Sequence, residues 1–231
     1  MKGLALLGAP KAQWPCDIKK QIVAVQQMAG LLIGVDRGSL LLEELGFVPD
    51  LAVGDFDSLQ KFELAKIQKN VADIRYSVPE KDLTDTELML RYAFENYHLD
   101  HLTAIGATGG RLDHFLTNLF MLLKPEFNGY AEKIEFLDLQ NSFKFYNSGT
   151  HIIRKKKDYT YFGVVPLTVV QDLSIVGAKY DLQSYSTKIP VSLSSNEFLS
   201  EKDYFKLSFT TGTVAVIQSK DVDRYQNFDF R

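Results

Sequence analysis

From residue 4 to about residue 139, short apolar runs alternate with helix-like segments, and this alternation constrains the fold more than any other feature. Several of the apolar runs are continuous, which is typical of strands that are buried on both faces of a parallel sheet. Such alternation predicts a doubly wound α/β domain with a mostly parallel sheet. The predicted strands are 4–8, 31–35, 51–54, 73–77, 102–106 and 133–139, and the predicted helices are 19–29, 39–46, 59–69, 83–97 and 112–123.

The helical pattern ends at about residue 142, and segments rich in β-branched and aromatic residues follow. These segments are 143–154, 159–177 and 204–218, with turn signals at 147–149 and 211–212. The pattern predicts antiparallel strands in a small all-β sandwich or barrel. We therefore expect two domains, an α/β domain over residues 1–140 and an all-β domain over residues 141–231.

Charge and cysteine content exclude several functional classes. The chain of 231 residues carries 26 Lys and Arg against 29 Asp and Glu, so no basic excess points to a nucleic-acid partner. Cys16 is the only cysteine, which excludes an intramolecular disulfide and a thiolate metal site and suits a reducing compartment. Since no run of 18 apolar residues occurs, we expect a cytoplasmic protein without a membrane span.

Polar residues follow the predicted strands where each strand ends. The carboxyl ends of parallel strands share one edge of the sheet, where open α/β sheets bind ligands. We therefore expect these groups to converge on one site. In chain order they are Asp36, Asp55 with Asp57, Lys81 with Asp82 and Asp85, and the segment 106–114.

The stretch "GDFDSL" (54–59) places Asp55 and Asp57 on either side of one aromatic residue. Their like charges repel, and a hard divalent cation such as Mg²⁺ beside substrate phosphates would offset that repulsion. An Asp-x-Asp stretch is also typical of a simple turn that caps the next helix. Asp82 and Asp85 at the same sheet edge favour the metal hypothesis.

Asp85 lies in "KDLTDTELML" (81–90), where a structural interpretation competes with a functional one. Thr84 and Glu87 have the spacing of a capping box, and an acidic residue at a helix start is ordinary electrostatics. Only its place beside the sheet edge makes Asp85 a candidate metal ligand.

The segment "GATGGRLDHFLTN" (106–118) combines a glycine-rich turn with the start of a helix. Backbone N–H groups in such a turn can bind an anion, and the Arg111 guanidinium can bind phosphate oxygens. We expect the helix to bury Leu112, Phe115, Leu116 and Leu119 and to present Asp113, His114, Thr117 and Asn118 on its other face. His114 is equally compatible with no functional role. The P-loop, dinucleotide-binding and nucleophile-elbow motifs are absent from the sequence.

Three motifs in register, "GVDRGSLLLEELGFVPDLAVGDFDSL", "KDLTDTELML" and "GATGGRLDHFLTNLFML", resemble those of bacterial thiamine pyrophosphokinases. The segments "GAKYDL" (177–182) and "SLSSNEF" (192–198) resemble parts of the β-domain of that family. The resemblance implies transfer of the pyrophosphoryl group of ATP to the hydroxyl of thiamine, giving thiamine diphosphate and AMP. It also implies an α/β catalytic domain that binds ATP and Mg²⁺, a thiamine-binding β-sandwich, and a homodimer with active sites at its interface.

Carried over by position, the resemblance assigns roles to the residues named above. Asp55, Asp57 and Asp85 would surround Mg²⁺-ATP, with Asp82 as a weaker metal ligand. Arg111 and Thr108, Gly109 and Gly110 would contact the nucleotide phosphates, with Asp36, Lys81 and His114 on the ATP side. Asp113 matches the acid of the "GGRLDH" motif, and Ser195 and Asn196 match the thiamine-binding segment.

Some assignments stay open at the sequence level. Asp113 is a hypothetical base for the thiamine hydroxyl, and metal-held carboxylates are the alternative. Trp14 is the only tryptophan, so Tyr180 and Tyr204 are the aromatic candidates for stacking on thiamine in the β-domain. A metal-dependent phosphoesterase and a non-catalytic nucleotide or thiamine sensor are the alternative functions.

Overall fold

The computed structural model describes residues 1–77 and 83–220. Lys81 and Asp82, which we expect at the ATP and metal site, lie outside the described residues. The chain divides into two compact units, Met1–Leu139 and Gln140–Arg231.

The first unit is an α/β domain whose described strands all pair in parallel. The predicted alternation of strands and helices is confirmed, with boundaries that differ from the prediction by a few residues. The strands are β1 (Lys2–Leu6), β2 (Leu31–Val35), β3 (Leu51–Gly54), β4 (Asp73–Tyr76), β5 (His101–Ile105) and β6 (Ile134–Leu137). The helices are α1 (Ile18–Gln27), α2 (Arg37–Leu45), α3 (Lys61–Asn70), α4 (Asp85–Arg91), α5 (Leu112–Phe120) and α6 (Pro125–Asn128).

The strand order of this sheet is β6-β5-β1-β2-β3-β4. The chain therefore moves outward from β1 to β4 on one side and then returns to place β5 on the other side of β1. Strands β2, β3 and β6 are buried along their whole length, as the continuous apolar runs predict. The crevice between the ends of β1 and β5 is the topological switch point, where doubly wound sheets bind ligands.

The start of α4 is closed by reciprocal hydrogen bonds between Thr84 and Glu87. The Thr84 hydroxyl accepts a hydrogen bond from the Glu87 amide at 3.3 Å, and the Glu87 carboxylate accepts one from the Thr84 amide at 2.9 Å. This capping box is the predicted one. It fixes Asp85 as the first residue of the helix, and α4 continues as a π-helical turn over Tyr92–Asn96.

The second unit is β-rich, and its described strands pair antiparallel. Phe162, Val164, Leu173, Phe205 and Leu207 are among the buried residues of its core. This architecture confirms the prediction of an α/β domain followed by a β-rich domain. Its strands are β7 (Asn141–Arg154), β8 (Tyr161–Pro166), β9 (Val170–Val176), β10 (Leu182–Thr187), β11 (Leu193–Glu197) and β12 (Tyr204–Ser219).

Neither of the expected turns at 147–149 and 211–212 ends a strand, so this part of the prediction is wrong. Strand β7 runs through Gly149 and β12 runs through Gly212, and the register between the two strands shifts at this point. Gly212 has a φ of +95°, and a Cβ there would lie 2.2 Å from the Val169 carbonyl oxygen. Because of this irregularity, β12 pairs with β9 before Gly212 and with β8 after it.

No helix among the described residues is both long enough and apolar enough to cross a membrane.

Replacing Gly38 tests the close packing of α2 on β1. A Cβ at Gly38 would lie 1.9 Å from the Leu6 carbonyl oxygen, which is fixed in the sheet. We expect Gly38→Ala to lower the free energy of unfolding by about 3 kcal/mol, because the backbone must separate to admit the methyl group. Urea denaturation monitored by circular dichroism measures the change.

Gly129→Ala is the matched control. Gly129 has a φ of −62°, and nothing lies within 4 Å of a Cβ built there. We expect this variant to shift the free energy of unfolding by less than about 0.5 kcal/mol. Equal denaturation midpoints for the two variants would contradict the described packing of α2.

Candidate active site

A cavity of about 640 Å³ opens at the carboxyl edge of the parallel sheet. Its walls come from the segments that follow β1, β2, β3, β4 and β5 and from the first turns of α4 and α5. The polar groups that follow successive strands therefore converge, as the sequence predicts. The predicted site residues that line it are Asp36, Asp55, Asp85, Gly110, Arg111, Asp113 and His114.

The loop after β3 directs two carboxylates to the same side by burying the residue between them. Phe56 has a φ of +58° and is 2% exposed, and it packs in the core that includes Leu40 and Ile67. Asp55 and Asp57 are exposed on either side of it, and the Asp57 amide donates to Asp55 Oδ1 at 3.1 Å. The loop is thus both a turn and a pair of outward-facing carboxylates, so the two interpretations of "DFD" are compatible.

Asp36 joins these two carboxylates. One carboxylate oxygen from each of Asp36, Asp55 and Asp57 lies within 4.8 Å of the others. The Asp36 amide donates to the Val53 carbonyl oxygen at 2.7 Å, which ties the end of β2 to β3. Gly54 allows this approach, because a Cβ there would lie 3.0 Å from the Asp36 Cα. The resemblance places Asp36 on the ATP side of the site, and the structure adds it to the acidic cluster.

The electrostatic state of Asp36 reflects its burial. Its Oδ2 accepts a hydrogen bond from the Ser58 hydroxyl at 2.8 Å, whereas its buried Oδ1 accepts no well-formed hydrogen bond from any described residue. Burial raises the pKa of Asp36, and the Ser58 hydroxyl and the Arg37 amide offset only part of that rise. The charges of Asp55 and Asp57 raise the pKa further. Within the described part of the chain, this carboxylate forms no ion pair.

Asp85 faces the same cluster from the start of α4. Burial is the main reason that its pKa is raised, and the charges of Asp55, Asp36 and Asp57 raise it as well. The Ser77 hydroxyl, just after β4, lowers it in part through a hydrogen bond. Four carboxylates thus act on one another within the described part of this edge.

The glycine-rich turn after β5 lies against the end of β1. Gly106 has a φ of +85°, and a Cβ there would lie 2.6 Å from the Leu7 carbonyl oxygen. The turn is fixed by two side chains: Thr108 donates to Asp138 Oδ2 at 2.7 Å, and buried Asn118 donates to the Ala107 carbonyl oxygen at 3.3 Å. The Thr108 hydroxyl is therefore engaged within the protein.

Arg111 and Asp113 form an ion pair at the start of α5. Arg111 Nε donates to Asp113 Oδ1 at 3.1 Å, and Arg111 Nη2 donates to Asp113 Oδ2 at 2.5 Å. Both side chains are well exposed. The hydrogen bond from Arg111 is the main lowering influence on the pKa of Asp113. A carboxylate with a lowered pKa is a weak proton acceptor, which disfavours Asp113 as a general base.

Helix α5 does not bury the face that the sequence predicts. Leu112 is 77% exposed and Leu116 is 45% exposed, whereas Asn118 is 6% exposed. Helical periodicity alone does not determine which face turns toward the sheet. Thr117 and Asn118 both line the cavity. Asn118 is buried, which distinguishes it from an ordinary solvated residue of a polar helix face.

Sequence reasoning missed several polar groups of the cavity. Arg37, Ser58, Ser77 and Thr86 all line it. Each lies within a few residues of a predicted strand end or helix start, which is the signal that could have identified them. Gly109 does not line the cavity. A Cβ built on Gly109 would lie 2.2 Å from Cγ of Gln13.

The second unit has a cavity of its own, of about 630 Å³. Ser195 and Tyr180 line it, as do Tyr161 and Phe162. Asn196 is 7% exposed and is absent from the lining. Of the two tyrosines that the sequence leaves as stacking candidates, Tyr180 therefore lines this cavity and Tyr204 does not.

Comparisons with known proteins agree with the resemblance in the motifs. The family model described as "Thiamin pyrophosphokinase, catalytic domain" matches residues 23–134, and the one described as "Thiamin pyrophosphokinase, vitamin B1 binding domain" matches residues 150–214. The thiamine pyrophosphokinase of Bacillus subtilis (strain 168) is 34% identical over 193 residues, which are 83% of this chain and 88% of that protein.

Solved structures give the same result for the fold. A thiamin pyrophosphokinase family protein from Enterococcus faecalis superimposes with a TM-score of 0.86 at 36% identity, covering 96% of this chain and 100% of that one. The B. subtilis thiamine pyrophosphokinase superimposes with a TM-score of 0.82 at 30% identity over 96% and 100% of the two chains. Sequence motifs, domain order and fold all lead to one conclusion: the chain belongs to the thiamine pyrophosphokinase family.

Proposed function

We propose that this chain transfers the pyrophosphoryl group of ATP to the hydroxyl of thiamine. The observation that carries this proposal is the acidic cluster of Asp36, Asp55 and Asp57, of which Asp36 and Asp55 line the same cavity as the glycine-rich turn after β5. In the reaction the thiamine oxygen bonds to the β-phosphorus, the bond to the α–β bridging oxygen breaks, and AMP leaves with that oxygen. Catalysis of such a transfer depends mainly on positioning and on charge neutralisation.

The acidic cluster fits a hard divalent cation such as Mg²⁺. Oxygen donors are what Mg²⁺ requires, and the buried Asp36 Oδ1 accepts no hydrogen bond of good geometry from the residues that the structure describes. Asp36, Asp55 and Asp57 would hold the ion, with Asp85 beside them. When bound, Mg²⁺ supplies positive charge that neutralises the phosphate oxygens of ATP.

The remaining residues of the cavity bind and orient the phosphates. The backbone N–H group of Gly110, which lines the cavity, is suited to an anion, because the turn precedes the positive end of α5. Arg111 brings a guanidinium to the same wall, and we infer that Asp113 orients it. In this scheme Asp113 is a positioning residue for Arg111, and the proton of the thiamine hydroxyl passes to a carboxylate of the cluster.

The β-rich unit supplies the acceptor side. Ser195 lines its cavity and would contact thiamine. We also infer a cytoplasmic homodimer with active sites at its interface, which is the arrangement that the family resemblance implies.

Product analysis tests the proposed reaction. Purified protein incubated with thiamine, ATP and Mg²⁺ should give thiamine diphosphate and AMP in equal amounts, resolved by chromatography. Thiamine monophosphate with ADP would contradict pyrophosphoryl transfer. Phosphate release without any thiamine product would favour a phosphoesterase, and binding of substrates without turnover would favour a sensor.

Asp57→Asn tests the metal site. We expect kcat at saturating Mg²⁺ to fall by roughly a hundredfold or more, because the variant loses an anionic ligand. Its melting temperature without Mg²⁺ should be no lower than that of the wild type, since one repulsive charge is removed. Asp17→Asn, which changes an exposed aspartate outside the cavity, is the control and should keep wild-type kcat. Unchanged kcat in Asp57→Asn would remove Asp57 from the site.

Asp36→Asn tests the electrostatic strain at the cluster. A raised pKa in the folded state means that ionising Asp36 opposes folding, so stability is lost as the pH rises above the ordinary value of 3.8. Without metal we expect the variant to melt at a higher temperature than wild type at pH 7, and the difference to shrink as the pH falls toward 3.8.

Added Mg²⁺ should oppose this difference in melting temperature between Asp36→Asn and wild type. Binding to the folded state stabilises it by about 2.7 kcal/mol at a hundred times the dissociation constant. Calorimetry should therefore show that Mg²⁺ raises the melting temperature of wild type more than that of Asp36→Asn. Equal shifts in both proteins would exclude Asp36 as a metal ligand.

A further inference from the structure

The glycine-rich turn after β5, residues 106–110, contains one hydroxyl that is bonded within the protein. Thr108 lies between Ala107 and Gly110, which both line the cavity, whereas Thr108 is absent from the lining. Its Oγ1 donates a hydrogen bond to Asp138 Oδ2 at 2.7 Å. The hydroxyl that the family motif places on the nucleotide phosphates therefore contacts a carboxylate of the protein.

Asp138 directly follows β6 and is 6% exposed. Strands β5 and β6 are parallel neighbours, with Ile105 opposite Leu137 at their carboxyl ends. The turn after β5 and the residue after β6 therefore lie side by side at the same edge of the sheet. A hydroxyl that donates to a carboxylate forms one of the stronger side-chain hydrogen bonds.

The segment after β1 supports the turn from its other side. The Ala9 amide donates to the Gly106 carbonyl oxygen at 3.3 Å, and Trp14 Nε1 donates to the Ala9 carbonyl oxygen at 3.1 Å. The Leu139 amide donates to the Gln13 carbonyl oxygen at 2.8 Å. Hydrogen bonds thus join the segment after β1 both to the glycine-rich turn and to the segment after β6.

The backbone of the turn has little room to move within this framework. Gly109 has a φ of +79°, and a Cβ built there would lie 2.2 Å from Gln13 Cγ. The Ala107 carbonyl oxygen accepts a hydrogen bond from Asn118 Nδ2 at 3.3 Å. The bond from Thr108 to Asp138 fixes the part of the turn that lies between this contact and Gly110.

We propose that Asp138 is a positioning residue, which acts through Thr108 to hold the glycine-rich turn in the conformation that binds the phosphates of ATP. The proposal rests on the proposed function, since ATP is the phosphate donor. It gives Thr108 a role other than the direct phosphate contact that the family motif suggests. It also brings into the site Asp138, a residue outside the motifs.

The chemistry of phosphate binding suits such a support. A backbone N–H group binds an anion only where the backbone directs it, so the Gly110 amide depends on the conformation of the turn. A turn that is already fixed loses little conformational freedom when the ligand binds. Asp138 does not line the cavity, so its negative charge is kept from direct contact with the phosphates.

Calorimetric titration of the full-length protein with ATP and Mg²⁺ tests the role of the hydroxyl. We expect Thr108→Val to raise the dissociation constant for ATP by about tenfold, as expected for loss of one hydrogen bond to a carboxylate. Thr108→Ser keeps the donor and should bind like wild type. The matched control is Thr210→Val, since Thr210 donates to Asp172 Oδ2 at 3.2 Å and lines neither cavity.

A double-mutant cycle tests the role of Asp138. Asp138→Ala should weaken ATP binding by a similar factor, and it should add little to the effect of Thr108→Val because both changes remove one bond. Asp138→Asn keeps an acceptor oxygen for Thr108 and should keep most of the affinity. In steady-state assays, the KM for ATP should rise with little change in the KM for thiamine. Melting temperatures identify unfolded variants, and Thr108→Val, whose side chain is only partly buried, carries the test if Asp138→Ala does not fold.

Each outcome bears on the proposal. Wild-type ATP affinity in Asp138→Ala beside weakened affinity in Thr108→Val would mean that the hydroxyl contacts phosphate directly, and it would overturn the positioning role. Wild-type affinity in Thr108→Val, additive effects in the double variant, or an equal rise in both KM values would also overturn it. Failure of the wild-type protein to bind ATP would overturn this inference together with the proposed function, whereas ATP binding without turnover would overturn the proposed reaction alone.

Discussion

Mutual repulsion among carboxylates at the carboxyl edge of the sheet is the constraint on which the first unit depends. Asp36, Asp55 and Asp57 lie close enough to share one ion, and no described cation offsets their charge. The fold holds them there through apolar and backbone contacts, with Phe56 buried beneath the loop and Gly54 packed against Asp36. Left-handed backbone at Asp36 and Phe56 is part of the same arrangement. Unusual backbone conformations of this kind cluster at functional sites, where the surrounding structure holds them in place.

The sequence predicted the convergence of the site because parallel strands share one carboxyl edge, and that argument requires only the strand ends. It did not predict that Asp36 joins the acidic cluster, because the approach of β2 to β3 depends on backbone conformations that residue preferences do not reveal. The orientation of α5 was also inaccessible. Periodicity placed Leu112 on the buried face and Asn118 on the opposite one, whereas packing leaves Leu112 exposed and buries Asn118.

The β-rich unit shows a different limit of sequence reasoning. Gly149 and Gly212 are correct signals for unusual backbone, yet they mark bends within two long strands rather than turns between short ones. A glycine signal does not distinguish these outcomes, since both need the same freedom of φ. In the same way the motif implied that Asn196 contacts thiamine, whereas its side chain hydrogen-bonds to the backbone of Tyr180. The position of a residue in a motif therefore does not determine what its side chain contacts.

The central proposal is that the acidic cluster binds a divalent cation, which neutralises the phosphate oxygens of ATP. Electron paramagnetic resonance of Mn²⁺ titrated into the full-length protein, with and without ATP, measures this binding directly. The account predicts saturable Mn²⁺ binding that Mg²⁺ displaces and that is weakened in Asp55→Asn. Absence of saturable binding in the presence of ATP, or wild-type binding in Asp55→Asn, would contradict it.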